Sequence, residues 1–432
     1  MLFSHLLSPI AVLLALTGSG LCTWPNGPFS TSGRWILDGS GGNVTYAGAN
    51  WPGAADTMIP EGLQYSSIES IVTKIKSLGM NVIRLTYAIE MIDDIYESGS
   101  DTLLKTSFIN ALGESSGTAV YNAVLQQNPQ FDNGTTRLEV FDAIAAECYK
   151  QQIWVHLDNH VSKAQWCCSE TDGNAWFGDT YFNISNWQRG LQYMATHGES
   201  WGNLMSMSLR NEPRSPGDNS TLVSESYNWG DWYTNVVTAS GLINQANPDV
   251  LIFFSGLSYD TYITPIPTGA SLGDNHTFNK SSFAYEDKIV LELHNYATSA
   301  TSCSDLESTL YTDGFSSLNS SDPSVVNVLP MVMTEWGYSQ DNTTYQGVYA
   351  SCLQNYLPSL HAGWMIWVIA GSYYIRSGTQ DFDETWGMLV QFNPGKGITN
   401  VSLGLLNHDW SGWRSSAAIE NNIVPMVQAT LG

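Results

Sequence analysis

Two glutamates of this sequence lie at the ends of short apolar segments and have the character of an acid–base pair. Glu212 follows Asn211 after one such segment, and Glu335 ends another segment just before Trp336. Cleavage of a glycosidic bond needs two carboxyl groups, because one protonates the departing oxygen while the other meets the positive charge that develops on the sugar. The pair therefore indicates glycoside chemistry, provided that the fold brings the two side chains together.

Short apolar segments recur along the chain, separated by turn residues and helical stretches. Near-continuous apolar strands that alternate with helices are typical of a parallel sheet covered by helices. Eight such units favour closure into a barrel over an open sheet. We therefore predict an α/β protein, a single (β/α)8 TIM barrel with extended rim loops, the longest over about 88–136. The predicted strands are 44–49, 81–86, 153–158, 204–209, 250–255, 289–294, 331–335 and 363–368.

Two of the intervening helices have clear signals. Ser66 and Glu69 have the spacing of a capping box, and the apolar stripe that follows ends at Gly79. A second helix is predicted over 137–151, with Cys148 on its apolar face. Helices of this kind cover the outside of a barrel, so the chemistry must lie at the strand ends.

The carboxyl ends of the strands position functional groups in such a barrel, because the loops that follow them open a cleft at one rim. Glu212 follows the fourth predicted strand, and Glu335 ends the seventh. Strands three places apart in a ring of eight lie on opposite sides of the mouth. We therefore predict that the two carboxyl groups face each other there.

Residues at other strand ends extend this pattern. The positions are Arg84, His160, Asn211, Glu212, His294, Tyr296, Glu335 and Trp367. Together, over about 34–413, they resemble the glycoside hydrolase family 5 (cellulase) barrels of clan A. The stretches 166–173 and 176–179 resemble a branch of that family with plant, bacterial and fungal members.

The resemblance implies a role for each of these residues. Glu212 would be the acid/base and Glu335 the nucleophile. Glu212 must begin the reaction protonated, so its site should be drier, or nearer to like charge, than that of Glu335. Arg84 would hold Glu335 in its ionised form. Tyr296 would donate a hydrogen bond to Glu335, and Asn211 would donate one to the 2-hydroxyl of the sugar.

The remaining substrate contacts are expected from histidines and aromatic rings. His160 and His294 would contact sugar hydroxyls or Glu212. Aromatic rings bury the C–H faces of sugars at little entropic cost, and Trp367, at the end of the eighth strand, is the best platform. Candidate aromatic subsites on the rim are Trp51, Trp166, Trp176, Trp336 and Trp386.

The charge balance narrows the class of partner. The chain has 432 residues, with 16 Lys and Arg against 40 Asp and Glu, and a formal net charge of −24. So acidic a surface repels nucleic-acid phosphates and anionic lipid. We therefore expect no nucleic-acid or membrane partner. The resemblance implies a β-linked oligo- or polysaccharide as substrate, and we expect a monomer.

The amino-terminal residues indicate export. Residues 2–16 are mostly apolar and contain no acid, and small residues follow at 18–20, as is typical of a secretory signal peptide. We predict a signal peptide over about 1–20, a catalytic domain over 21–432, and a secreted, extracellular product. Nine Asn-x-Ser/Thr sequons favour a glycoprotein; they begin at Asn43, Asn133, Asn183, Asn219, Asn275, Asn279, Asn319, Asn342 and Asn400.

Six cysteines fit an oxidising compartment, in which disulfides form. Cys303 and Cys352 are the best single pair, since both lie outside the predicted strands in the late half of the chain. Cys148 is expected to be a buried free thiol. The adjacent Cys167 and Cys168 lack the spacing of a zinc site, and we predict neither a metal nor a cofactor.

The predicted function is that of a retaining β-glycosidase, endo-β-1,4-glucanase-like, working by double displacement. The same site fits a β-mannanase, an exo-β-glucanase or a β-glucosidase. Two alternatives belong to other classes. One is a metal-dependent hydrolase, because His156, Asp158 and His160 lie on one face of a predicted strand. The other is a catalytically silent carbohydrate-binding barrel.

Overall fold

Eight parallel strands close into a barrel in the computed structural model, which describes residues 24–385 and 402–432. Each strand pairs with its neighbours in chain order, and the eighth pairs with the first. This confirms the predicted (β/α)8 TIM barrel, and every predicted strand overlaps one barrel strand. The strands are β1 (Ala47–Trp51), β2 (Val82–Ala88), β3 (Trp154–Val161), β4 (Leu204–Ser208), β5 (Leu251–Phe254), β6 (Ile289–Asn295), β7 (Met331–Trp336) and β8 (Gly363–Ile366).

Helices cover the outside of the barrel, so all eight strands are buried along their whole length. The α-helices are α1 (Ile68–Ser77), α2 (Ile89–Ser98), α3 (Leu104–Leu112), α4 (Glu114–Gln127), α5 (Arg137–Lys150), α6 (Ile184–His197), α7 (Ser220–Glu225), α8 (Trp229–Ala246), α9 (Pro265–Thr268), α10 (Cys303–Asp313), α11 (Val348–Ser359), α12 (Ser416–Ala418) and α13 (Val424–Leu431). Short 3-10 turns lie at Gly198–Ser200, Lys280–Ser282, Glu286–Lys288, Phe315–Leu318 and Thr344–Gln346, and a π-helix spans Ile419–Ile423.

The N-cap of helix α1 lies one residue later than predicted. Ser66 belongs to the preceding turn, where its N–H donates to the Gly62 carbonyl. The cap is Ser67, whose hydroxyl accepts from the Ser70 N–H at 3.1 Å. The predicted box between Ser66 and Glu69 is therefore wrong, although the helix itself is confirmed.

The long insertion after β2 is helical. It contains α2, α3 and α4, and the last two pack so closely that a Cβ added at Gly117 would lie 2.6 Å from the Phe108 carbonyl oxygen. The ring of Phe108 packs edge-on against Tyr374 at 4.9 Å, and Gln380 donates to the Leu112 carbonyl at 2.9 Å. These contacts join the insertion to the antiparallel hairpin Ser372–Arg376 and Thr379–Asp383, which follows β8.

Apolar side chains fill the barrel at the amino ends of its strands. A three-stranded antiparallel sheet, Ser30–Ser32, Trp35–Leu37 and Asn43–Val44, precedes β1. Phe29 and Ile36, from this region, pack with Tyr46, Phe253 and Met365 in one buried cluster. The opposite, carboxyl-terminal rim therefore carries the openings and loops. A further two-stranded sheet joins Ser271–Gly273 to His276–Thr277.

The cysteines form two disulfides in the described part of the chain. One joins Cys303 to Cys352, as predicted, and links α10 to α11 with their Cα atoms 5.4 Å apart. Cys148 is a buried free thiol, also as predicted. The other disulfide joins Cys167 to Cys168, a bond that the sequence analysis did not foresee.

Several predictions concern the surface or the undescribed residues. None of the helices in 24–385 and 402–432 has both the length and the apolar character needed to cross a bilayer. The signal peptide, Trp386 and Asn400 lie outside the described residues. Asn219 is half-buried and the other described sequon asparagines are exposed, so they are open to the modification that we predict.

Candidate active site

The structure brings Glu212 and Glu335 together at the carboxyl rim. Glu335 lies near the end of β7, and Glu212 lies in the turn that follows β4, with a positive φ of 49°. One carboxylate oxygen of each glutamate and one ring nitrogen of His294 lie within 4.8 Å of one another. Such proximity lets two carboxyl groups act on the same bond of a bound molecule.

Arg84 forms a buried ion pair with Glu335. Its Nη1 lies 2.5 Å from Glu335 Oε1, and its Nη2 lies 2.9 Å from Asp158 Oδ1. The same guanidinium donates to Asn50 and Asn211, each at 2.8 Å. Burial disfavours the charged guanidinium, but the surrounding carboxylates outweigh it and raise the pKa of Arg84. The arginine is therefore a fixed positive charge beside Glu335.

Removal of this charge is expected to destabilise as well as inactivate the protein. Arg84→Met leaves Asp158 and Glu335 buried without their cation, which should lower the free energy of unfolding by about 3–5 kcal/mol. Arg84→Lys retains a charge but cannot reach four partners, so its loss should be smaller. Urea unfolding of both variants measures the effect; a methionine variant as stable as the wild type would contradict it.

Two further side chains orient the glutamates. Tyr296 donates from its hydroxyl to Glu335 Oε2 at 3.0 Å, and burial raises the pKa of this phenol, so it keeps its proton. His294 Nδ1 lies 3.0 Å from Glu212 Oε1, while Nε2 lies 3.1 Å from the Thr334 hydroxyl. His294 therefore stands between the two acids, 3.7 Å from Glu335 Oε2.

The hydrogen bonds around His294 fix which ring nitrogen carries the proton. Burial lowers the pKa of His294 to about 3, so the ring is neutral. Thr334 donates to Glu292 at 2.9 Å, and its oxygen therefore accepts from Nε2–H of the histidine. Nδ1 is then left as an acceptor, which suits a protonated Glu212.

Glu212 has the environment of an acid. Burial raises its pKa to about 7, against the opposing charges of Arg214 and other cations. Its backbone N–H donates to Asp260 Oδ2 at 2.8 Å, which holds the left-handed turn in place. Sequence analysis missed both Asp260 and Glu292. Glu292 had a signal, because it lies two residues before His294 in a strand and so shares its inward face; Asp260 lies in a loop and had none.

The other predicted supporting residues also meet at the rim. Asn211 accepts from Arg84, and its amide nitrogen faces the sulfurs of Cys167 and Cys168. His160 donates from Nδ1 to the carboxylate oxygen Oδ2 of Asp158 at 2.7 Å, and its ring stacks on Trp367 at 5.4 Å. His160 therefore packs against Trp367, whose role as a sugar platform stays a prediction, and the contact with Glu212 is made by His294 instead.

Three of the predicted aromatic subsites are wrong. Trp51, Trp176 and Trp336 are fully buried, so they cannot meet a substrate. The indole of Trp51 donates to the Glu61 carbonyl, and that of Trp176 to the Ser226 carbonyl.

Trp166 is the candidate that stays partly exposed. It lies 6.4 Å from Trp367, with the guanidinium of Arg376 over its ring at 3.6 Å. It also lines an open groove of about 500 Å³ together with Asp56, Asp172 and the hairpin turn at Ser377.

The metal-site alternative does not fit the geometry. Both ring nitrogens of His156 are bonded to hydroxyls, of Ser206 and Ser208, at 2.8 Å each, and the ring is fully buried. Asp158 is engaged by Arg84 and His160. The three side chains therefore do not converge on an open coordination site, which counts against the metal-dependent alternative.

Comparisons with known proteins concern the family of the sequence and the fold of the chain. The profile of the family Cellulase (glycosyl hydrolase family 5) matches residues 37–372. A glycosyl hydrolase 5 family protein of Chamaecyparis obtusa is 32% identical over 407 residues, which are 90% of this chain and 64% of that protein. The chain thus spans less than two thirds of the length of this relative.

Two solved structures share the fold. The catalytic domain of the major endoglucanase from Xanthomonas campestris pv. campestris is 16% identical, with a TM-score of 0.62 over 92% of this chain and 99% of that one. The endocellulase of Pyrococcus horikoshii, in a complex with cellotetraose, is 16% identical, with a TM-score of 0.64 over 94% and 98%. At these identities the likeness concerns the fold alone.

Proposed function

This chain belongs to glycoside hydrolase family 5, the cellulase family, and we propose that it is a retaining β-glycosidase that cleaves within β-linked glucan chains. The observation that carries the proposal is the closeness of Glu212 and Glu335, whose nearest oxygens lie within 4.8 Å. Retaining enzymes hold their carboxyl groups about 5–5.5 Å apart, whereas inverting enzymes leave about 6.5–9.5 Å for a water molecule. The short separation supports retention.

The surroundings of the two acids support different roles. Glu335 lies against the Arg84 guanidinium and accepts from Tyr296, which suits an ionised nucleophile. Glu212 is half-buried, and desolvation raises its pKa, which suits a proton donor. A pair of carboxyl groups whose environments differ in this way can divide the work of nucleophile and acid.

The reaction then proceeds in two displacements. Glu335 attacks the anomeric carbon while Glu212 gives its proton to the departing glycosidic oxygen, which leaves a covalent glycosyl-enzyme. Glu212, now ionised, takes a proton from water, and the resulting hydroxide displaces Glu335. The hemiacetal product keeps the β configuration, and both glutamates return to their first protonation states.

The substrate is proposed from three supports. The family is that of the cellulases, and the structurally similar enzymes include endoglucanases and an endocellulase with bound cellotetraose. The net charge of −24 favours a neutral polysaccharide. We also propose that the enzyme is secreted, extracellular and monomeric.

The function is tested by incubating the enzyme with a panel of β-glucans, mannan and aryl β-glycosides and following the products over time. We expect rapid shortening of β-glucan and a β-configured first product by NMR. Preferential release of mannose units, or of single sugars from chain ends, would instead assign a mannanase, an exo-glucanase or a glucosidase. Binding without turnover of any member would support the silent carbohydrate-binding barrel.

The pH dependence of turnover should report the protonation of Glu212. Because the pKa of this acid is raised to about 7, kcat/KM on glucan should fall as the pH rises through that value, where the proton is lost before the first step. Initial rates between about pH 4 and 9 measure the profile. The alkaline fall should be missing in Glu212→Ala acting on a dinitrophenyl glycoside, whose leaving group needs no proton; its persistence would assign the fall to another group.

A further inference from the structure

The disulfide between Cys167 and Cys168 lies beside Asn211 and Glu212 in the candidate active site. It follows β3 and is half-buried. The amide nitrogen of Asn211 lies 3.6 Å from Cys167 Sγ and 3.5 Å from Cys168 Sγ. Both sulfurs and a carboxylate oxygen of Glu212 lie within 4.8 Å of one another.

The loop that carries the disulfide is fastened to the segment after Glu212. Arg214, which is fully buried, donates to the Ser169 carbonyl at 2.9 Å and to both oxygens of Asp172 at 2.7 and 2.5 Å. Asp172 in turn accepts from the Ser169 N–H at 2.8 Å. These bonds hold the sulfurs against the end of β4.

The two ends of the Asn211 amide therefore have different neighbours. Its oxygen accepts from Arg84 at 2.8 Å, and its nitrogen faces sulfurs, which accept hydrogen bonds weakly but have no hydrogen to give when they are bonded to each other. If the Asn211 amide were flipped, its NH2 group would face the Arg84 guanidinium, and two hydrogen-bond donors would then oppose each other. Reduction would place thiol hydrogens beside the NH2 group and release the fixed geometry.

On the basis of the proposed function, we propose that the Cys167–Cys168 disulfide is a positioning element for the reaction. It takes one hydrogen of the Asn211 amide and so directs the other hydrogen to the 2-hydroxyl of the sugar that is being cleaved. That hydrogen bond strengthens as the transition state forms. The disulfide thus acts on the reaction through Asn211 and makes the rate on 2-hydroxy substrates depend on its oxidised state.

The test compares Cys167→Ala/Cys168→Ala with the wild type on two substrates. One is nitrophenyl β-cellobioside, and the other lacks the 2-hydroxyl on the sugar that bears the nitrophenyl group. We expect kcat/KM to fall about tenfold on the first substrate, as for the loss of one hydrogen bond, and to stay unchanged on the second. An equal fall on both substrates, or no fall on either, would overturn the proposal.

The matched control is Cys303→Ala/Cys352→Ala, which removes the disulfide between α10 and α11. Below its melting temperature this variant should treat both substrates as the wild type does. If the wild type hydrolyses neither substrate, the proposed function fails. If it hydrolyses them and the ratio between variant and wild type is the same for both, only the positioning role fails.

Reduction provides a measurement that does not depend on folding of the first variant. In the Cys303→Ala/Cys352→Ala background, dithiothreitol gives two electrons and two protons to the Cys167–Cys168 bond, which becomes two thiols while the reductant closes to its cyclic disulfide. Activity on the 2-hydroxy substrate should fall about tenfold and return on reoxidation. Alkylation of both cysteines before any reductant is added would overturn the proposal.

Discussion

Glu335→Ala is expected to lower kcat/KM on β-glucan by about 10⁵-fold or more, because it removes the carboxylate that forms the covalent intermediate. The change leaves space beside Arg84 where the carboxylate stood. Azide should enter that space and restore turnover of an activated aryl glycoside. It attacks from the face opposite the leaving group, so the product should be the α-glycosyl azide, identified by NMR.

A second substitution controls for the space that alanine creates. Glu335→Gln keeps the shape of the side chain and its contact with Tyr296, but an amide is not a nucleophile. It should be as inactive as the alanine variant and should not respond to azide. Substantial activity in either variant without azide, or a β-azide from Glu335→Ala, would assign the nucleophile elsewhere.

Glu212→Ala is expected to separate substrates by their leaving groups. On β-glucan, whose departing oxygen needs a proton, the rate should fall by about 10³–10⁴-fold. A dinitrophenyl glycoside should still form the glycosyl-enzyme rapidly. Hydrolysis of this intermediate should then be slow, because no general base activates the water. Stopped-flow measurement should therefore show a burst of dinitrophenol followed by slow turnover.

Azide distinguishes this variant from the nucleophile variant. It can attack the glycosyl-enzyme from the side that Glu212 occupied, and a second inversion gives the β-glycosyl azide. The α-azide, or an equal loss of activity on both leaving groups, would contradict the acid/base role. The two variants together thus assign each carboxyl group by the configuration of one product.

The barrel and the meeting of Glu212 with Glu335 could be predicted because both follow from strand order. Parallel strands place their carboxyl ends on one rim, whatever course the loops take. Arg84 and Tyr296 reach Glu335 for the same reason, since each lies in or just after a barrel strand.

The aromatic subsites were harder to predict, and the reasons differ. Side chains alternate along a strand, so Trp336, next to the inward Glu335, must face the helices; the same applies to Trp51 beside Asn50. That signal was present in the sequence. The burial of Trp176 and the contact between Cys168 and Asn211 depend on the course of a loop, which no local pattern determines.

The apolar cluster at the amino ends of the strands has a consequence for the order of events in catalysis. That end of the barrel is closed by the side chains of Phe29, Tyr46, Phe253 and Met365. Substrate, products and water must therefore enter and leave at the rim that carries the two glutamates. The fragment released by the first displacement and the water needed for the second then use the same opening. A chain end that lingers there would delay hydrolysis of the intermediate, and another sugar that arrived first would receive the glycosyl group in place of water.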